Sequence, residues 1–355
     1  MAFGERLKGL LGFFRRTERS SPQVVREAAI HVILLDGTMS MLDDGCETNV
    51  GLIYKLLEVE VGDRPVSLFY EAGIQWTDWS ATLSVIEGRG INRQIRRAYG
   101  WLASRYRPGD TIFLVGYSRG AFAARSLAGA IDRVGLLKRE HATARRVTEA
   151  YRHYQQNDGP ETVAEFSKAY CHAEAPIEAV AVFDTVKSLG LRAPFVWKWS
   201  EVEHAFHSYR LGRSIRKGFH ALALDETREA FKPVMWETRA DWSGTIEQVW
   251  FRGSHSDVGG HLSGFSAARP LSNIPLVWML ERLEHCALPL PDGWRARFVT
   301  DADAPSVGTW RNWGKIFLAR RKRRVGLDPS ERLHPSAAGR SPRAEEFAPD
   351  AVLKV

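Results

Sequence analysis

The sequence predicts an α/β fold built on a mostly parallel sheet. Five short apolar runs recur along the chain, helical patterns lie between them, and each run ends in a polar or glycine-containing loop. Buried parallel strands read as continuous apolar runs, and strands that alternate with helices form parallel sheets. With 355 residues and 44% hydrophobic content, the chain is long enough to bury a large core as one main domain.

The apolar runs predict strands, and apolar residues at helical spacing predict the helices between them. The strands are expected over residues 30–35, 66–70, 111–117, 177–183 and 246–251, and the helices over 93–106, 121–134 and 275–283. The stretch 138–170 is polar and favours helix, so we interpret it as a helical insertion that supplies little core material.

Composition divides the chain into three parts. Residues 1–22 combine a basic amphipathic helix with a linker, residues 23–325 form the α/β domain, and residues 326–355 are rich in Pro, Ser, Ala and Arg and are expected to be irregular.

The strongest local signal is the turn after the third strand. Gly116-Tyr117-Ser118-Arg119-Gly120 is a Gly-x-Ser-x-Gly pattern between a strand and the small-residue start of a helix. This order is the nucleophile elbow of α/β-hydrolases, whose sharp turn lifts the serine hydroxyl towards a base. Ser118 is therefore predicted to be a catalytic nucleophile, and a serine in a glycine-rich loop is the structural alternative.

Two later strands deliver an acid and a base to the same edge of the sheet. Asp184 directly follows the fourth strand, and His255 follows the fifth in a glycine- and serine-rich loop. The order Ser118, Asp184, His255 is that of the α/β-hydrolase triad. The structural alternatives are a helix cap or turn role for Asp184 and a backbone-bonded loop position for His255.

Other titratable residues compete for these roles or support them. His220 and Asp225 lie close together in an apolar run that indicates burial. His261 follows His255 in the same loop, where Asp257 is expected to bind its backbone or line the pocket.

An oxyanion hole needs two backbone N–H groups. Arg119, the residue after the nucleophile, is expected to provide one. Asp36-Gly37-Thr38 follows the first strand and offers the second through Gly37 or Thr38, with Asp36 ordering the turn.

Cysteine and charge patterns limit the other function classes. The three cysteines are widely separated, without a Cys-x-x-Cys or Cys/His cluster, so we expect no disulfide framework, metal or cofactor. The net charge is +7, and its basic clusters lie towards the two ends. No nucleic-acid-binding module is recognisable, so nucleic acid is not an expected partner.

The basic clusters at both ends accompany apolar side chains. Apolar residues at helical spacing among cations over 3–16 predict a short amphipathic helix, and Trp310 and Trp313 precede the basic run 320–324. Such segments suit an anionic membrane surface, a protein partner or packing on the domain itself. The sequence shows neither a membrane-spanning run nor a Sec-type signal, so we expect a cytoplasmic protein or signal-peptide-independent export, with peripheral membrane contact.

Several motifs in order resemble one bacterial family. They are Asp36-Gly37-Thr38, the Ser118 elbow with Ala124-Arg125, Phe183-Asp184-Thr185-Val186, residues 221–226, residues 249–251 with 255–260, and residues 331–336. Together they resemble the uncharacterised α/β-hydrolase domain family that includes the type VI secretion phospholipase effectors of the first class. The resemblance implies a triad of Ser118, Asp184 and His255 and hydrolysis of phospholipid acyl esters.

Two further functions compete with a serine esterase that acts on lipid acyl esters. One is a non-catalytic α/β-hydrolase-like protein that binds a membrane or a partner, against which the intact triad argues. The other is a phosphatase that uses Asp-x-Asp-Gly-Thr, but Leu34 occupies the position of the first carboxylate.

Overall fold

The computed structural model describes residues 26–59, 65–73, 89–156, 158–186, 210–311, 315, 317–341 and 343–353. The amphipathic helix and linker predicted over residues 1–22 lie outside the described residues, and so does Trp313. The strands are β1 (Ile30–Leu35), β2 (Val66–Glu71), β3 (Thr111–Tyr117), β4 (Ile177–Phe183), β5 (Ile215–Ala223), β6 (Thr245–Phe251) and β7 (Glu331–Leu333).

The helices alternate with these strands. They are α1 (Asn49–Glu58), α2 (Arg89–Ala103), α3 (Arg119–Val134), α4 (Ala144–Gln156), α5 (Pro160–Tyr170), α6 (His255–Gly259) and α7 (Arg269–His285). All five predicted strands and all three predicted helices are present. Among the described residues, no helix is long and apolar enough to cross a membrane.

The described strands form one parallel sheet in the order β2-β1-β3-β4-β5-β6-β7. The chain winds outwards in one direction from β1 to β2 and in the other from β3 onwards. Loops therefore diverge between the carboxyl ends of β1 and β3, and this switch point of a parallel sheet is where a crevice opens. The loop at residues 36–38 and Ser118 both lie there.

Helices cover both faces of the sheet, as the sequence predicts. On one face, Ile33 and Leu35 pack with apolar residues of α2, α3, α4 and α5. On the other face, Ile30, Val32 and Leu34 pack with residues of α1 and α7. The alternation along β1 shows why its whole sequence is apolar: both faces of the strand are buried.

Two expectations need correction. The stretch 138–170 does form helices, but α4 and α5 contribute Val147, Tyr151, Tyr154 and Phe166 to the core because they pack against α2 and α3. The segment 326–355 is not wholly irregular, since β7 pairs with β6 as an edge strand. Three residues are too few to show a strand pattern in the sequence.

Candidate active site

Ser118 occupies a strained turn between β3 and α3. Its φ of 57° and ψ of −120° lie outside the regions that L-residues ordinarily adopt. Close packing enforces the turn: a β-carbon at Gly116 would lie 2.6 Å from Cα of Ala121, and one at Gly120 would collide with the carbonyl oxygens of Leu35 and Asp36. The glycines of the motif thus let strand, turn and helix approach, and strain of this kind clusters at functional sites.

Ser118, His255 and Asp184 form a continuous hydrogen-bonded line. His255 Nε2 lies 2.9 Å from Ser118 Oγ, and His255 Nδ1 lies 2.6 Å from Asp184 Oδ2. With Nδ1 protonated, the imidazole donates to Asp184 and presents the lone pair of Nε2 to the serine hydroxyl. The structure brings together the three side chains that the sequence singles out, from the ends of β3 and β4 and the start of α6.

The surroundings hold the imidazole neutral and the carboxylate charged. Burial lowers the pKa of His255, and the hydrogen bond and charge of Asp184 offset only part of this effect. Burial on its own would raise the pKa of Asp184, but the Arg323 guanidinium and the hydrogen bonds from His255 and Arg323 hold it well below the usual range. A neutral base beside an ionised orienting acid is the arrangement that proton abstraction from a serine requires.

The loop after β1 borders Ser118. A β-carbon at Gly37 would lie 3.5 Å from Cβ of Ser118. Asp36 orders this loop by accepting hydrogen bonds from the Gly37 amide at 2.6 Å, Thr48 Oγ1 at 2.6 Å and the Tyr70 hydroxyl at 2.8 Å. The predicted ordering role of Asp36 therefore agrees with its contacts.

These contacts distinguish the candidate oxyanion donors. The Gly37 N–H already donates to Asp36, which leaves Thr38 as the candidate donor from this loop. Arg119 is the first residue of α3, and the helix's own hydrogen-bonding pattern leaves its amide free.

The remaining predicted residues support the site from a distance. His220 Nε2 accepts the Thr185 amide at 3.1 Å, next to Asp184, and burial lowers the pKa of His220 to about 3, so it is a neutral structural residue. Asp225 accepts the Gly253 amide at 2.7 Å and the Ser341 hydroxyl at 2.6 Å. Asp225 thereby fixes the turn that leads to His255.

Asp257 joins two loops and does not contact the triad. It accepts the Ser254 amide and hydroxyl, both at 2.7 Å, and the Ser306 hydroxyl and Val307 amide at 2.6 and 2.7 Å. These bonds cap α6 at its N-terminus and dock residues 306–307 beside it. Asp257 thus contacts backbone amides of two loops, and the described residues show no hydrogen bond between His261 and Ser118 or Asp184.

Three residues that contact Asp184 or His255 are not among the site residues that the sequence predicts. Arg323 donates to both carboxylate oxygens of Asp184, at 2.6 and 2.8 Å. Glu226 accepts the His255 amide at 3.1 Å, and Tyr117 donates its hydroxyl to the His255 carbonyl at 3.2 Å. Tyr117 stands inside the elbow motif, but no sequence signal distinguishes Arg323 from the cations beside it.

The described part of the chain contains no group of three or more His, Cys, Asp or Glu side chains that could hold a metal ion. All three cysteines are free. The groups that meet at the switch point are a serine hydroxyl, an imidazole, a buried carboxylate and backbone amides.

A parallel sheet with helices on both faces and a strained Gly-x-Ser-x-Gly elbow after a central strand defines the α/β-hydrolase class of folds. Within that class, the chain belongs to the family described as T6SS, phospholipase effector Tle1-like, catalytic domain, which it matches over residues 30–282.

Known proteins match parts of the chain. It is 28% identical over 231 residues to Uncharacterized protein YEL023C of Saccharomyces cerevisiae, covering 57% of this chain and 32% of that protein. An uncharacterized protein from Pseudomonas aeruginosa shows 16% identity and a TM-score of 0.44, covering 78% of this chain and 49% of that one.

The Tle1 effector bound to the VgrG spike of the type 6 secretion system shows 16% identity and a TM-score of 0.27, covering 66% of this chain and 51% of that one. The chain thus spans about a third of the yeast protein and about half of each of these two solved chains.

Proposed function

We propose that the protein is a serine esterase that cleaves acyl esters of phospholipids or related lipids through a Ser118-Asp184-His255 triad. The single observation that carries the proposal is the hydrogen-bonded line from Ser118 Oγ through the His255 ring to Asp184. Family membership supports a lipid as the substrate class.

The geometry supports the usual two-step reaction. Ser118 Oγ attacks the ester carbonyl while His255 Nε2 takes the hydroxyl proton, and the same nitrogen then returns that proton to the departing alcohol. The amides of Arg119 and Thr38 would stabilise the negative carbonyl oxygen in the tetrahedral intermediate. Water, activated by His255, attacks the acyl-enzyme and releases the fatty acid and free Ser118.

Apolar side chains beside the site support a lipid surface as the place of action. The Phe231 ring lies 4.7 Å from the His255 ring, and the Phe317 ring lies 5.2 Å from Phe231. The same segment exposes Trp310, whose ring carries the Arg320 guanidinium at 3.9 Å, and Leu318, which is 79% exposed. Exposed apolar residues among cations suit an anionic membrane.

The test is release of free fatty acid from vesicles of mixed phosphatidylglycerol and phosphatidylethanolamine. Wild-type protein should release fatty acid, and folded Ser118→Ala protein should lose on the order of 10⁶-fold in turnover because covalent catalysis is gone. Ser126→Ala, which alters a serine of α3 that hydrogen-bonds to the Phe122 carbonyl, is the matched control and should remain active. Release by Ser118→Ala at the wild-type rate would reject the triad, and release by neither protein above the protein-free background would favour a non-catalytic binding protein.

A further inference from the structure

Arg323 comes from the far end of the chain to the centre of the site. It lies beyond the range that matches the family, in a run of five basic residues, yet its side chain is only 4% exposed. Its neighbours Arg321, Lys322 and Arg324 are exposed. Burial of one cation within a solvated basic run needs a specific partner, because an unpaired guanidinium would be too costly to desolvate.

That partner is the carboxylate of Asp184. The two terminal nitrogens of Arg323 donate to the two oxygens of Asp184 at 2.6 and 2.8 Å, the bidentate geometry that a guanidinium forms with a carboxylate. The same nitrogens also donate to the carbonyls of Ala223 at 2.8 Å and Phe231 at 2.5 Å. These four bonds fix the guanidinium plane against β5 and the loop after it.

A second arginine holds the clamp, the bidentate pair of Arg323 with Asp184, in place. Arg343 donates to the carbonyl of Arg323 and, at 2.8 Å, to the carbonyl of Leu224, and it forms a bidentate pair with Glu346. Arg343 thus ties the backbone of Arg323 to the loop after β5.

We propose that Arg323 is a positioning residue for the triad: it locks the Asp184 carboxylate in the orientation that receives His255 Nδ1–H and balances the carboxylate's charge. This proposal rests on the proposed function. Asp184 Oδ2 accepts from both His255 and Arg323, whereas Oδ1 accepts from Arg323 and from the Ala223 amide at 3.0 Å. Each carboxylate oxygen of Asp184 therefore accepts two hydrogen bonds, which hold the carboxylate in the orientation that faces His255.

The balance of charge sets the pH at which the Asp184–His255 pair takes up a proton. Without Arg323, the site would carry one more uncompensated negative charge, and an added proton would neutralise it. The pair would then bind that proton at higher pH and lose its neutral base. The charged and titratable groups that act on the pair or on its neighbour His220 are Glu226 and Arg228 from the loop after β5, His261 after α6 and Arg125 on α3.

The experiment compares Arg323→Met, Arg323→Lys and the surface control Arg297→Met, which alters an exposed arginine outside the basic run. The readout is kcat/KM for a short soluble ester as a function of pH. Arg323→Met should lower the plateau on the order of 10²-fold, as expected for a misplaced catalytic group, and move the acid limb upward by about 1–3 pH units. Arg323→Lys should keep the acid limb of the wild-type pH profile but lower the plateau value of kcat/KM. Lysine keeps the positive charge, but it cannot form the two parallel hydrogen bonds of a guanidinium.

Arg297→Met should leave both features unchanged. A merely structural role for Arg323 would lower the amount of active enzyme without moving the limb, so an unmoved limb in Arg323→Met overturns the proposal. Loss of activity in Ser118→Ala with an unmoved limb in Arg323→Met would reject the clamp alone, whereas full activity in Ser118→Ala would reject the triad.

Urea unfolding tests the clamp without any need for catalysis. Arg323→Met should lower the unfolding midpoint of the wild type but should raise the midpoint or leave it unchanged in an Asp184→Asn background, where Arg323 is a buried cation without its counter-ion. Equal shifts in both backgrounds would show that Arg323 and Asp184 are not coupled and would overturn the proposal.

Discussion

Asp36 and Asp184 lie at the same carboxyl edge of the sheet, on opposite sides of Ser118, and both are fully buried. Their pKa values nevertheless move in opposite directions. Burial raises the pKa of Asp36 to about 6, since the donors that the described residues offer it are neutral hydroxyls and an amide. Arg323 and His255 hold the pKa of Asp184 well below the usual range.

The difference shows that burial alone does not decide what a carboxyl group does. Asp36 orders the loop that carries Thr38, and Asp184 forms hydrogen bonds to His255 and Arg323. What separates them is one buried cation, which the chain supplies from residue 323. Substitutions on the two sides of Ser118 should therefore have different consequences.

The largest expected effect separates the acid and base from their neighbours. His255→Ala should reduce ester hydrolysis on the order of 10⁶-fold and Asp184→Asn about 10⁴-fold, because the aspartate orients the imidazole and does not itself transfer the proton. Asp225→Asn and His261→Ala are the matched controls and should have milder effects. Initial rates on a soluble ester, at equal amounts of folded protein, provide the measurement. An essential His261 with a dispensable His255 would require another base.

The next effect concerns stability, in which the two aspartates should differ in sign. Asp184→Asn leaves the buried Arg323 without its counter-ion and should destabilise the fold by about 3–5 kcal/mol. Asp36→Asn removes a carboxylate that is costly to ionise, and a pKa raised from 3.8 to about 6 corresponds to about 3 kcal/mol, less the value of any weakened hydrogen bonds. Asp36→Asn should therefore stabilise the protein at pH 8.

The pH dependence of these two changes follows from the same pKa directions. The folded pKa of Asp36 is raised, so the cost of ionising it is greatest above pH 6 and should fall by about half at pH 5. The folded pKa of Asp184 is lowered, so its stabilisation is complete above its unfolded pKa and persists at both pH values. Urea unfolding at pH 8 and pH 5 checks both signs. Destabilisation of equal size by both substitutions would contradict the contrast.

A smaller effect is expected where the elbow after β3 packs against the loop after β1. A methyl group at Gly120 would collide with the carbonyls of Leu35 and Asp36, so Gly120→Ala should push the elbow away from the loop after β1. A misplacement of about 1 Å can reduce turnover on the order of 10²-fold. Gly159→Ala is the control, since its β-carbon would meet nothing within 4 Å. Unchanged kcat in Gly120→Ala would show that this close approach does not position Ser118.

The local part of the site was predictable from the sequence. The elbow and the residues that directly follow β4 and β6 are defined by patterns of a few residues. β5 was missed as a strand because Arg216, Lys217 and Gly218 interrupt its apolar run, although burial of His220 was expected. Arg323 was grouped with a membrane-binding cluster, since only the return of the chain to Asp184, 139 residues away in sequence, distinguishes it from its neighbours.

The smallest effect on ester hydrolysis is expected from the exposed cations of the basic run 320–324. Replacing Arg321, Lys322 and Arg324 by Gln should weaken binding to anionic vesicles by roughly 10²-fold, at about 1 kcal/mol for each cation, and should leave hydrolysis of a soluble ester unchanged. Vesicle co-sedimentation at low and high salt measures this effect.

The control removes the same charge from the exposed Arg139, Arg145 and Lys168 of the helical insertion. Equal weakening in both triple variants would indicate a general effect of net charge and would remove the basis for a membrane-facing surface beside the site.

Covalent labelling with a fluorophosphonate tests the triad most directly, because the reagent reacts with a serine only when a neighbouring base activates it. Peptide mass spectrometry should find one adduct, on Ser118, in the wild type, and none in His255→Ala over the same time. Labelling of Ser118 at the same rate in both proteins, or labelling of another serine that persists in Ser118→Ala, would contradict the assignment of Ser118, His255 and Asp184 as the catalytic centre.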